Sequence, residues 1–293
     1  MSRIPKTVHF IFGMAPDFGG KPWGMTHHCC VMSAIKHIKP DKVLFHYGTE
    51  PTGAWWKQTR PHVTPVQAIV PTEIFGNPVP HVAHRTGVLR LRTLIAYGGI
   101  YLDADVLVQR SFDDLLECSA VLGREGEHGE YGMADAVILA EKDSPFLKRW
   151  LDTYRTFRSK GRDEYWAEHA VAIPAKLAAE HPDEVEVLPY TAFFWPTWTS
   201  EHLRWIFESN RPIDNEAAYA HHLWEALAWE YFDGLSPGRA RLFDTNFHRW
   251  MRPYVEHLPA WYGITPAHIV RTAKRDARRA LGHMRRMVSG TKQ

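Results

Sequence analysis

The chain has 293 residues, 45% of them hydrophobic and 13% aromatic, enough apolar side chain to bury a full core in one large domain. Its 35 basic residues nearly balance 33 acidic ones, for a formal charge of +2, so net charge points to no nucleic acid and to no strongly acidic partner. Cys29, Cys30 and Cys118 are too few for a disulfide framework. No apolar run approaches the roughly 18 residues of a membrane span, and MSRIPKTVHFIF lacks a signal-peptide core, so a cytoplasmic location is expected.

In chain order, TVHFIF (7–12) reads as a strand, MTHHCCVMSAIKHI (25–38) as a helix stopped by Pro40, and KVLFHY (42–47) as a second strand; this is a βαβ opening. HRTGVLRLRTLIAYGG (84–99) places Val88, Leu91, Leu94 and Ile95 on one helical face, with Gly98 as the stop. The strand pattern IYLDADVLV (100–108) follows at once. DAVILA (135–140) is a further strand, after which Ser144 and Pro145 fit the N-cap and first position of a helix. The alternation predicts an α/β fold with a largely parallel central sheet.

Asp103 and Asp105 interrupt the apolar run of 100–108. Burying unpaired carboxylates is costly, so the pair requires a cation, a set of donors, or water at a strand end. On an extended strand both project to one side while Ala104 points away, and ligands of open α/β sheets sit at the carboxyl ends of strands. Two carboxylates on one side suit Mg²⁺ or Mn²⁺ shared with a nucleotide diphosphate. The alternative is a pair of solvated turn acids that cap a helix or pair with Arg90 or Arg110. His27 and His28 stand beside Cys29 and Cys30 but without the spacing of zinc ligands. Trp195 and Trp198 offer faces either to sugars or to an aromatic core.

GGIYLDAD, preceded by AHRTGVLRLRTLIAY, resembles the sugar-binding region of glycosyltransferase family 32. The resemblance runs from IPKTVHFIFG (4–13) through KPDKVLFHY and PTGAWW to residues 135–140 and YAHHLWEALAW (219–229), most of the chain up to about residue 250. It implies a GT-A-type, Rossmann-like nucleotide-sugar-binding fold with added helices over residues 1–262. It further implies transfer of a hexose-type sugar from a UDP- or GDP-sugar to a glycan, lipid-linked or other hydroxyl acceptor, with retention of configuration. Under this resemblance Asp105 holds the metal on the diphosphate, and Asp103 contacts ribose, donor sugar or a metal-bound water. Arg90 bonds sugar or phosphate oxygens, Phe12 stands against the base, and His222 approaches the metal with Trp224 as a wall. Gly99 and Tyr101, within the same motif, are placed with the donor-binding residues, and Asp135 is a catalytic candidate by position.

Two departures from the family pattern stand out: Thr86-Gly87 where relatives commonly have Ser-Asp, and Asp135-Ala136 where they commonly have Asn-Ala. They leave two rivals to an active transferase, a nucleotide-sugar or glycan-binding protein with a degraded site and a metal-dependent phosphohydrolase. In RTAKRDARRALGHMRRMV (271–288), Ala273, Ala277, Ala280, Leu281, Met284 and Val288 share one helical face amid basic residues. The tail, residues 263–293, is therefore read as a basic amphipathic helix suited to an anionic membrane surface, close to a lipid-linked acceptor.

Overall fold

The computed structural model of the protein describes residues 2–276. β1 (Thr7–Phe12), α1 (Met25–Ile38) and β2 (Lys42–Tyr47) occupy the expected residues. Along β1 the side chains alternate, Val8 and Phe10 entering one core and Ile11 the other. Lys39 ends α1 in the left-handed conformation just before Pro40. Then come α2 (Ala54–Thr59), β3 (Thr64–Gln67), a small hairpin of β4 (Glu73–Ile74) and β5 (Asn77–Pro78), and α3 (Val82–Tyr97). His81 caps α3 by accepting the Ala83 N–H, and Gly98, at φ 65°, terminates it.

The expected continuous strand over 100–108 is broken. β6 (Gly99–Leu102) ends before Asp103, and β7 (Val106–Val108) resumes after a turn closed by the Val106 N–H on the Asp103 carbonyl at 3.0 Å. Asp103 and Asp105 thus share a side because the chain turns there, and not through strand alternation. The remaining elements are β8 (Ala120–Glu125), β9 (Gly132–Ala140), α4 (Pro145–Thr153) with Ser144 as its N-cap, α5 (Ile173–Glu180), β10 (Glu186–Leu188), α6 (Ser200–Phe207), β11 (Ala220–His222), α7 (Glu225–Phe232), α8 (Pro237–Leu242) and α9 (Asn246–Met251).

The main sheet has the order β10-β8-β9-β6-β1-β2-β3. The β1–β2, β1–β6, β2–β3 and β8–β10 pairs are parallel, and β9 runs antiparallel to both β6 and β8. The carboxyl ends of β1, β6 and β8 and the amino end of β9 therefore share one edge. Apolar cores fill both faces: Phe10, Cys30, Phe45 and Leu102 on the side of α1, and Leu91, Tyr101, Ile138 and Trp150 on the side of α3 and α4. Cys29 and Cys30 are core residues. β7 leaves this sheet and pairs antiparallel with β11, Val106 opposite His222.

Among the described residues no helix is long and apolar enough to cross a membrane. Residues 266–276 are helical, held by ion pairs of Arg271 with Asp233 and Arg239 with Asp276. Ala273, on the expected apolar face, is exposed; Ala277, Ala280, Leu281, Met284 and Val288 lie outside the described residues.

Candidate active site

The shared edge opens into a cleft of about 850 Å³, whose lining includes Phe12, Arg90, Asp103, Asp105, His222 and Trp224. This is within the usual range for small-molecule sites. At its centre, ligand atoms of Asp103, Asp105 and His222 all lie within 4.8 Å of one another, the one such group of metal-type side chains among the described residues. Backbone bonds hold it together: Asp103 N–H donates to the Ala136 carbonyl at 2.8 Å, and Leu223 N–H to the Asp105 carbonyl at 3.0 Å.

The two aspartates differ in electrostatic setting. Burial works against the ionised form of Asp105, but His222, with Nε2 3.3 Å from its Oδ2, and the Glu225 N–H, donating at 2.7 Å, hold its carboxyl down to about 2. That N–H opens α7, so the helix dipole adds to the effect. Asp103 goes the other way: burial, reinforced by the Asp105 and Asp135 charges, lifts it to about 6 despite Arg90 at 3.3 Å. For His222, burial disfavours the cation, yet the facing Asp105 and Asp103 outweigh it and raise the imidazole above its ordinary value. Its Nδ1 is buried with no hydrogen-bond partner.

Arg90 is the cationic counterpart. Its guanidinium bridges Asp103 and Asp135, the latter at 2.9 Å, also donates to the Asp135 carbonyl, and lies 4.4 Å from the Tyr101 ring centroid. Two carboxylates thus share one permanent cation, while Asp105 is held by His222 and the Glu225 N–H. Two acids and an imidazole, with negative charge in excess, fit a hard divalent ion.

A family model described as a glycosyltransferase sugar-binding region containing the DXD motif matches residues 49–122. The chain is 38% identical over 263 residues to glucan organizing enzyme 1 of Cryptococcus neoformans var. grubii, covering 86% of this chain and 71% of that protein. It belongs to the DXD-containing glycosyltransferases. An uncharacterised Arabidopsis thaliana protein is 30% identical over 117 residues, 38% of this chain and 18% of its own. Among solved structures, the Streptococcus pneumoniae glycosyltransferase GlyE in its apo form aligns with a TM-score of 0.46 at 13% identity, over 88% of this chain and 65% of that one. The GT-A-type fold expected of a family 32 relative is the one present, and the chain is a glycosyltransferase.

In this DXD glycosyltransferase the expected residues separate into those that meet at the cleft and those that support it. Phe12 lines the cleft at the end of β1, packed against Phe18, Trp23 and His27. Trp224 forms a wall beside His222, with ring centroids 4.2 Å apart, and its indole N–H donates to the Pro196 carbonyl. Asp135 stands behind Arg90 as its ion-pair partner.

Gly99 and Tyr101 do not line the cleft. Gly99 begins β6 at φ 117°, where a Cβ would sit 2.5 Å from the Thr7 carbonyl oxygen; it is a glycine because β1 passes too close for a side chain. Tyr101 is fully buried beneath the site, and its hydroxyl donates to Asp103. It orients Asp103 and Arg90.

His27 and His28 are satisfied by Glu225 and Thr59, respectively, and bring no metal ligand set together. Arg110 lies over Tyr219 and pairs with Asp114 at 3.7 Å, away from the aspartate pair. Of the two tryptophans, Trp195 packs among Tyr190, His202 and Trp205, whereas Trp198 lines the cleft.

Sequence reasoning missed Glu125, Glu225 and Tyr154. Glu125 is buried at the carboxyl end of β8, where burial raises its carboxyl, and it accepts the Trp198 indole N–H at 2.8 Å. An acid closing the apolar strand AVLGRE is the same signal that marked Asp103. Glu225 and Tyr154 carry no comparable pattern.

Proposed function

We propose that the protein is a metal-dependent hexosyltransferase that takes a sugar from a nucleotide-sugar donor, with retention of configuration, and passes it to a glycan or lipid-linked hydroxyl. The observation that carries this reading is the convergence of Asp103, Asp105 and His222 at the cleft's centre, with Arg90 alongside. Asp103, Asp105 and His222 would hold Mn²⁺ or Mg²⁺, which supplies neutralisation of charge on the departing nucleoside diphosphate. Asp105, held anionic by His222 and the Glu225 N–H, is the permanent acid of the set. His222, whose Nε2 faces Asp105, would offer that nitrogen to the ion in its neutral form. Arg90, preset between two carboxylates, holds Asp103 in place and faces the cleft with a charge suited to sugar or phosphate oxygens. Asp135, tied to Arg90, is suited to orienting that guanidinium and not to covalent attack, which favours a front-face route to retention.

The experiment is a thermal-shift screen of UDP- and GDP-sugars with Mn²⁺, followed by nucleoside diphosphate release. A donor at a hundred times its dissociation constant stabilises the fold by about 2.7 kcal/mol. Asp105→Asn is expected to keep the fold and lose at least about a hundredfold in release rate. Wild-type release by that variant at saturating Mn²⁺ refutes the assignment. Donor binding without turnover in the wild type identifies a binding protein instead, and phosphate release from simple esters a hydrolase.

A further inference from the structure

Trp198 and Trp56 both give their indole N–H to a carboxylate, Glu125 and Glu50 respectively, but the acid at Trp198 is buried whereas Glu50 is substantially exposed. Trp150, Trp205 and Trp224 give their N–H to backbone carbonyls, the least costly solution for a buried indole. Trp198 gives its N–H to a carboxylate, Glu125, whose relative exposure is 9%. Burying an acid for that purpose costs more than a carbonyl would, and it yields a stronger, charge-assisted bond that fixes the plane of the ring.

The backbone on either side is also fixed. Thr197 is bonded to His202 Nδ1 through its hydroxyl at 2.6 Å, and Thr199 caps α6 by accepting the His202 N–H. Tyr131, 43% exposed, sets its ring 5.1 Å from that of Trp198. Trp198 lines the cleft in this fixed frame, and the exposed Tyr131 ring lies beside it, tilted by 52°. A fixed aromatic surface beside a wet cleft matches the apolar C–H face of a pyranose ring, whose hydroxyls remain turned to water and polar groups.

We propose that Trp198 and Tyr131 form the platform of an acceptor-saccharide subsite, and that Glu125 is the positioning residue that holds the Trp198 ring in place. The proposal rests on the transferase reading and adds to it the class of acceptor, a saccharide, and the wall on which it sits.

The test is isothermal titration of the full chain, in the presence of Mn²⁺, with laminarihexaose, maltohexaose and mannohexaose. Melting temperatures of the variants verify their folding. For whichever oligosaccharide binds best, Trp198→Ala is expected to weaken affinity about tenfold or more, and Glu125→Ala by a smaller but measurable factor. Glu125→Gln, whose amide oxygen still accepts the indole N–H, is expected to restore near-wild-type affinity. Undiminished affinity in Trp198→Ala, or Glu125→Gln as weak as Glu125→Ala, overturns the proposal. So does the absence of binding by all three oligosaccharides to a wild type that still shows a nucleotide-sugar thermal shift. Absence of that shift as well overturns the transferase reading beneath it.

Discussion

Gly87 and Asp135 face each other between α3 and β9: a Cβ at position 87 would lie 3.8 Å from Oδ2 of Asp135 and 3.4 Å from the Tyr154 hydroxyl. Both are ordinary contact distances, so a methyl group fits. Gly87→Ala is therefore expected to stabilise the protein by about 0.5–1 kcal/mol, through helix propensity and a less free unfolded chain. Calorimetry should record a melting temperature higher by roughly 1–3 °C.

Gly87→Asp brings a second carboxylate against Asp135, with Arg90 already shared between Asp103 and Asp135. It is expected to cost about 1–3 kcal/mol of stability, largely recovered by adding Asp135→Asn. We further expect Gly87→Asp to raise the ratio of kcat/KM for a hexose donor over its deoxyhexose analogue, because a carboxylate acceptor returns to the family position. A fixed ratio across a donor panel would confine the position to stability.

Arg90→Met leaves Asp103 and Asp135 without their cation. Removing one partner of a buried ion pair costs about 3–5 kcal/mol, so urea unfolding should shift to a clearly lower midpoint. Arg90→Lys, with one point charge in place of a planar fork, should recover only part of the loss. A midpoint for Arg90→Met equal to wild type would show that the bridging contributes nothing.

How much of this was legible beforehand follows from what periodicity can report. β1, α1 and β2 were readable to the residue because apolar spacing and the Pro40 stop coincide with their ends. The break at Asp103 was not, because Val106–Val108 continues the apolar run and is buried in a second sheet. Spacing reports burial without naming the partner strand. Tyr101 was placed among donor-binding residues by its motif, yet alternation along β6 sends its ring into the opposite core. Glu125 closes an apolar strand as Asp103 does, but its bond to Trp198, 73 residues away, is set by the fold and not by the local pattern.

His9 and His46 give the fold a pH dependence. His9 Nε2 lies 2.9 Å from the Gly98 carbonyl oxygen and must carry a proton there, so its Nδ1 accepts from His46 Nε2 at 3.0 Å. The Tyr97 ring stacks on His9. Burial lowers both imidazoles to about 4, against about 6.5 in the unfolded chain. Between those values the unfolded chain binds more protons, so the stability present above pH 6.5 is lost as pH falls toward 4, by about 1–3 kcal/mol per histidine. His46→Gln, which keeps an N–H donor toward His9, should show a shallower decline in urea midpoint between pH 7.5 and 5. An identical slope would exclude the pair as its source.

The basic stretch beyond α9 carries a location proposal. Ile269, Val270 and Ala273 are exposed in the helical residues 266–276, while Arg271 and Asp276 anchor that segment. We propose that its free face meets an anionic membrane. The full chain is expected to float with phosphatidylserine-containing liposomes, and a chain ending at residue 276 to float less. Equal flotation, or none, would reject the idea.

Asp105 accepts a hydrogen bond from a backbone N–H 120 residues further along the chain. During synthesis, then, the stretch from β1 to β9 emerges before His222 and the α7 terminus. The candidate site is complete only when β6, β7, β11 and the start of α7 are all in place. Under the proposed function, ion binding would need His222 beside Asp103 and Asp105 and would therefore report a finished fold.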